Sequence, residues 1–545
     1  MGCERSRPRW TSHAVLLLWM AFILPSLQAA PFDSAEAQQP LPLQAERLED
    51  AGQWGKAADL WYQLLVKDRS SADVKKRHQY CLRRSQQVAR HQDPTYRQQV
   101  LALSLENALQ VYGEILAKLQ NDYVEPSKVQ MPILFRQGLE ELICALEEGM
   151  RQNYFGELSP EAVHDFQAEL RTVWLDKQVR KAADAQNLAR EIALAAKKSL
   201  GLKPSLVVLE MCCGACNALD ECTYYLTPAQ FNELNASLKG EGVGIGIEVS
   251  ANGERVFVAQ RVPGSPADLS DLKVGDQILR IGRKPVATAE AAAELLKGEP
   301  DSTVELEVKT GMNSPRLLRL KRQIVRVPSV IVQDEFINRE VRIGYIQLLS
   351  FQETTVDELN LAIEKLQAQG MRALVLDLRG NPGGLFEVAR QVVERFVTSG
   401  VIVCTQGRLA SEFNATYHAH GTNILTVPLV VLVDGETASS AEMVAGALKE
   451  NLRGKLVGKT TFGKGSIQKI KGLTSFPAGG IRMTVAKFYS PRQQSYDGAG
   501  VAPHLDIDFR PPPNMSMMPL DSQLQAAVEV ARSLALGQKS DGGPN

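Results

Sequence analysis

Apolar positions follow three textures along the chain. Up to about residue 200 they mostly recur every three to four positions, which predicts amphipathic helices. AERLEDAGQWGKAADLWYQLLVKD, residues 45–68, reads as two helices around a turn at Gly52, with Trp54, Ala57, Ala58 and Trp61 at helix spacing. A second hairpin over 70–120 has no clean period. VYGEILAKLQNDYVEPSKV predicts a helix stopped at Pro126, and MPILFRQGLEELICALEEGM predicts an amphipathic helix. Helices follow at 159–175 and 180–200, ended by Gly201 and Pro204.

At Gly240 the texture changes to short strands with tight turns. Asn252-Gly253 is a hairpin signal. SPADLSDL predicts a short helix, VGDQILRIGRKPV a hairpin, AAELLKGE (292–299) a second helix and TVELEVKT a closing strand. In GVGIGIEV the glycines come just before a strand, so backbone N–H groups can face an anion. From about residue 326, apolar runs alternate with helices. VRIGYIQLLSF precedes the helix TVDELNLAIEKLQAQ, which Gly370 caps. ALVLDLRGNPGG is a buried strand and a glycine loop, followed by the helix LFEVARQVVERF, and PLVVLVDGETASSAE repeats the scheme. This alternation predicts a mainly parallel sheet with ligands bound beyond the strand C-terminal ends. The glycine loop and the TASS turn both fall at such ends.

At 545 residues the chain exceeds one core, and roughly three to five domains are expected. A net charge of -1 gives no basic field for nucleic acid or an acidic membrane. Arg5, Arg7 and Arg9, the apolar run Ala14 to Leu24 and Gln28-Ala29-Ala30 predict an export signal over 1–29, cut after Ala29. An uncleaved anchor is the alternative, although a run of about 11 residues is short for a span. Of eight cysteines, Cys212, Cys213, Cys216 and Cys222 cluster in MCCGACNALDEC. Cys213 and Cys216 form a CxxC without a second metal-binding motif. The alternatives are a buried helical turn of small thiols or a local disulfide. No metal site or cofactor is expected.

The candidate chemistry lies at 434–468. Ser439 and Ser440 stand where a helix begins, and free N–H groups there stabilise an oxyanion. Lys464 is bracketed by Gly463 and Gly465 in TTFGKGSIQ. On a strand over 464–468, Lys464, Ser466 and Gln468 share one face, so Gln468 can orient the amine. Burial lowers a lysine pKa, as a base requires. Taken singly, these residues equally suit a helix cap and a turn. His164, His418, His420 and His504 have no paired motif.

Residues 241–325 resemble a PDZ domain in its permuted form. The resemblance makes Gly244, Ile245, Gly246 and Ile247 the loop that captures a peptide carboxylate. ETASSAE, RGKLVGKTTFGKGSIQ, DLRGNPGG, TYYLTPAQF and TVAKFYSPRQQSYDGAGVAPHLDID resemble the C-terminal processing peptidases. That resemblance implies Ser439 as nucleophile, 25 residues before Lys464 as general base, with Gln468 orienting the amine. It implies an oxyanion hole from the Ser440 N–H and that of Gly383 or Gly384. TASSA in place of the family's usual SASAS leaves Ser440 as a competitor.

The fold expected is multidomain α+β: a helical N-terminal region, an inserted PDZ domain and an α/β peptidase core with a mainly parallel sheet of the crotonase and Clp-protease βαβ type. After the signal, the divisions are 30–105 (helical, like a tetratricopeptide hairpin or a plain bundle), 106–240 (helical part of the peptidase), 241–325 (PDZ), 326–512 (core) and 513–545 (a helix and a disordered tail). The function implied is a serine endopeptidase cleaving near the C-termini of exported or unfolded proteins. Its partners would be polypeptides with free C-termini, with an adaptor on the N-terminal helices and membrane association through the N-terminus. The location implied is periplasmic or otherwise extracytoplasmic. An inactive PDZ scaffold or adaptor and an acyl-CoA enzyme are the rival readings.

Overall fold

The continuous apolar runs form the middle of a mostly parallel sheet. In this computed structural model the strands Ile343–Leu348, Ala373–Asp377, Leu429–Val433, Lys455–Gly458 and Leu505–Asp506 lie side by side in parallel, with Val330–Val332 antiparallel at one edge. Ala373–Asp377 and Leu429–Val433 are buried at every position. Alternate residues serve opposite faces. Leu374, Leu376, Val431 and Val433 pack with the helices Thr355–Ala368, Phe386–Glu394 and Ser440–Glu450. Ala373, Val375, Val430 and Leu432 pack with the helix Ser522–Ala535. The structure describes residues 40–537 apart from 69–70, 148–149, 151–153, 423 and 511–520. The expected export signal, Cys3 and the tail beyond 537 lie outside the described residues.

An antiparallel sheet stands beside this core. Its long strand Gly480–Tyr489 pairs with Tyr224–Leu226, Val401–Gly407 and Ser466–Gly472. Behind it, Leu105–Asp122, Met131–Ala145, Ala182–Leu200 and Pro204–Asn217 share a core with Ile481, Met483 and Val485. Cys212, Cys213 and Cys216 are buried free thiols on Pro204–Asn217. They lie in a buried helical turn, and no disulfide is present among the described residues. No group able to hold a metal ion occurs among the described residues. A Cβ on Gly214 would meet Gln137 O at 2.4 Å, so the glycine lets two helices cross closely.

At the N-terminus, Leu41–Asp50 and Trp54–Lys67 form the expected hairpin, turning at Gly52 with φ 67°. One long helix, Ala72–Gln92, follows where the sequence left a second hairpin open. Ile247–Asn252, Arg255–Arg261, Gln277–Ile281, Thr303–Lys309 and Arg316–Lys321 form the antiparallel sheet of the PDZ segment, with the helix Ala289–Leu296 against it. TVELEVKT is therefore not the last strand. SPADLSDL forms turns instead of a helix. Ser265 and Ser270 hydroxyls accept the amides of Asp268 and Leu272, and Asp268 accepts that of Gly264, which competes with helical bonding.

Candidate active site

Two loops at the C-terminal ends of neighbouring parallel strands are stitched together. Asp434 accepts the amides of Gly380, Glu436 and Thr437, and the Thr437 hydroxyl donates to Leu378 O. The Ala438 amide donates to Asn381 O at 2.9 Å. The Asn381 side chain bridges Leu348 O and the Gly383 amide. These bonds bring NPGG against the TASS turn, as strand order requires.

Ser439 stands immediately before the helix Ser440–Glu450 with φ 57° and ψ -121°. A non-glycine residue in this region carries backbone strain that its surroundings must hold in place. Ser439 is half-buried. Ser440 is buried, and its hydroxyl donates to Gly384 O at 3.0 Å. Gly383 has φ 104°, and a Cβ there would meet Ser439 Cβ at 2.9 Å and Ser440 N at 3.0 Å. The Gly383 amide is already spent on Asn381 Oδ1. Among the described residues neither the Ser440 nor the Gly384 amide donates to another group.

Lys464 lies in the loop before the strand Ser466–Gly472. The sequence expected 464–468 as one strand. Gly465 interrupts it by packing on Asp497, where a Cβ would lie 2.9 Å from the amide nitrogen. Ser466 and Gln468 do share a face, since Gln468 Nε2 donates to Ser466 Oγ at 2.9 Å. It also donates to Thr484 Oγ1, while Gln468 Oε1 accepts from Arg482 at 3.3 Å. Among the described residues no hydrogen bond joins Gln468 or Ser439 to the Lys464 amine. Burial pushes that amine below the usual lysine range. The Cys222 thiol opposes the shift, the like charge of Arg482 adds to it, and Glu221 and Asp220 oppose it.

Three features escaped the sequence reading. Arg482 comes from the neighbouring strand and donates to Tyr224 Oη at 3.0 Å. Asp220, Glu221 and Cys222 form the acidic and thiol surroundings of Lys464. Glu442, within the motif already singled out, bonds both the serine turn and the lysine loop. Of the histidines, His504 accepts the Leu456 amide through Nδ1, and His164 is exposed. Gly244, Ile245, Gly246 and Ile247 form the turn into Ile247–Asn252, the edge strand of its sheet.

Residues 342–507 match the model of peptidase family S41, and residues 257–310 match that of the PDZ domain. The carboxyl-terminal-processing protease of Synechocystis sp. is 33% identical over 330 residues, covering 59% of this chain and 76% of that protein. The carboxy-terminal processing protease CtpA of Bacillus subtilis is 30% identical over 329 residues, covering 59% and 69%. A solved photosystem II D1 C-terminal processing protease is 25% identical with a TM-score of 0.40, covering 80% of this chain and 98% of that one. The family models and the curated relatives define a serine-type peptidase that carries a PDZ domain. The chain belongs to the carboxyl-terminal-processing proteases of peptidase family S41.

Proposed function

We propose that Ser439 is the nucleophile and Lys464 the general base of this peptidase. The observation that carries the choice is the strained backbone of Ser439 at the start of a buried helix. Ser440, by contrast, has its hydroxyl committed to Gly384 O. Neutral Lys464 takes the proton from Ser439 Oγ as that oxygen adds to the scissile carbonyl carbon. The amides of Ser440 and Gly384 receive the oxyanion. Gly383, whose amide is engaged, serves through its lack of a side chain. Collapse breaks the C–N bond, and the leaving amine takes the proton back from Lys464. Water then resolves the acyl-enzyme by the same base. Lys464 turns toward Ser439 for the first step. Gln468 supports it indirectly, by holding Ser466 and Arg482.

The Gly244–Ile247 turn and the outer side of the edge strand Ile247–Asn252 suit an added peptide strand ending in a free carboxylate. Substrates are accordingly polypeptides with free C-termini, exported or unfolded. The charged, apolar and small residues of 1–29 favour export to a periplasmic or other extracytoplasmic space, with the N-terminus near the membrane. The N-terminal helices offer a face for an adaptor.

Ser439→Ala and Lys464→Ala should each lower kcat on an unstructured tail by on the order of 10⁴-fold, with folding retained. Ser440→Ala should cost far less. Because the base acts only when neutral, wild-type activity should rise with pH through the lowered Lys464 value and persist into alkali. Normal turnover by Ser439→Ala sinks the assignment.

A further inference from the structure

Glu442 is fully buried, and no basic side chain forms an ion pair with it among the described residues. Its two oxygens accept four bonds. Oε2 takes the amides of Ser439 and Lys464, both at 2.8 Å. Oε1 takes the amide of Gly463 at 2.7 Å and the hydroxyl of Thr461 at 2.6 Å. One oxygen thus holds the backbone of both residues assigned to the reaction, which stand on separate elements. We infer that Glu442 is a positioning residue, setting the approach of Lys464 to Ser439 by pinning both backbones to one carboxylate.

The donor set supports this role. All four partners donate, and only an ionised carboxylate accepts four bonds without presenting a proton of its own. Charge-assisted bonds to backbone N–H groups are short and directional. The Ser439 amide would otherwise be an unsatisfied group at a helix start. Its bond to Glu442 helps hold the strained φ and ψ. The lysine loop is fixed from its far side as well, since Thr461 Oγ1 accepts the Val501 amide at 2.7 Å. The pin therefore spans the serine helix, the lysine loop and the segment before the last parallel strand. Glu442 touches no reacting atom. It acts by fixing where two reacting side chains begin.

This inference rests on the Ser439 and Lys464 assignment, and the test separates the two. Full-length Glu442→Gln presents an amide NH₂ to two of the four donors while keeping size. Its kcat on an unstructured tail should fall by on the order of 10²-fold, the cost of an ångström-scale misplacement. KM should stay within about twofold, since substrate binding is not involved. Thr461→Val removes one donor and should lower kcat by about tenfold, with KM again unchanged. It decides the matter if Glu442→Gln does not fold. A folded Glu442→Gln with wild-type kcat overturns the inference. So does activity lost only in step with the folded fraction, which marks a purely structural carboxylate. If Ser439→Ala is inactive in the same assay, the dyad assignment survives either result. If Ser439→Ala is active, the dyad assignment fails first.

Discussion

Glu442 and Glu210 are both fully buried carboxylates, and the protein treats them oppositely. Glu442 is held by N–H and O–H donors, all from the residue just before its own helix and one nearby loop. Glu210, on Pro204–Asn217, is held by groups from Ala72–Gln92, more than a hundred residues earlier. Arg90 reaches it at 2.8 Å, Gln87 at 2.7 Å and His91 Nε2 at 2.9 Å. Arg90 also pairs with Glu141 at 3.1 Å. Burial alone would raise the Glu210 pKa, but the Arg90 and His91 charges bring it well below the usual range. For Glu442 burial prevails over its hydrogen bonds, and its pKa lies above the usual range. Dipoles can fix geometry between adjacent loops. A cation holds the carboxylate that joins Pro204–Asn217 to Ala72–Gln92.

Breaking the second arrangement should have the largest effect. Arg90→Ala removes the cation shared by two buried carboxylates and should cost about 3–5 kcal/mol in urea unfolding. The activity of each folded molecule should remain near wild type. A cost near zero would mean that the N-terminal helices dock without this network.

Acid should separate the two carboxylates next. Glu210 contributes stability that is fully present above its ordinary unfolded pKa of about 4.3 and lost only as pH falls through its lowered folded value. Glu442, raised by burial, protonates earlier on the way down and then no longer accepts all four of its donors. Activity should therefore disappear at a pH where near-ultraviolet circular dichroism is still native, and return on neutralisation. Simultaneous loss of both signals would erase the contrast.

The smallest effect should come from the aromatic contact between the N-terminal hairpin and the lysine loop. Tyr62 and Phe462 stack with ring centroids 5.4 Å apart and planes at 17°. A Tyr62→Ala, Phe462→Ala double-mutant cycle in chemical denaturation should give about 0.5–1.5 kcal/mol of coupling. Additive effects would show that the rings are neighbours without mutual stabilisation.

The contrast also marks what was legible in the sequence. ALVLD and LVVLV announced themselves because fully buried parallel strands need no polar face. The serine turn and glycine loop followed, since strand ends in such sheets converge. Arg482 did not, because it enters from a strand paired across the antiparallel sheet. The partners of Glu442 are mostly backbone amides, which no residue pattern records. The Tyr62–Phe462 contact and the Arg90–Glu210 pair join distant segments whose local periods say only that each is a helix or a loop. SPADLSDL misled because its apolar spacing suits a helix while its hydroxyls and carboxylate prefer turns.

The PDZ segment leaves and rejoins the peptidase at nearly one point. Glu241–Gly244 pairs with Gln323–Arg326, and the Val327 amide donates to Gly240 O at 2.8 Å. Entry and exit are thus a single two-stranded stem. A chain spliced across that stem need not rethread the peptidase sheets. The domain is in this sense a cartridge, joined to the rest of the chain through one pair of strands.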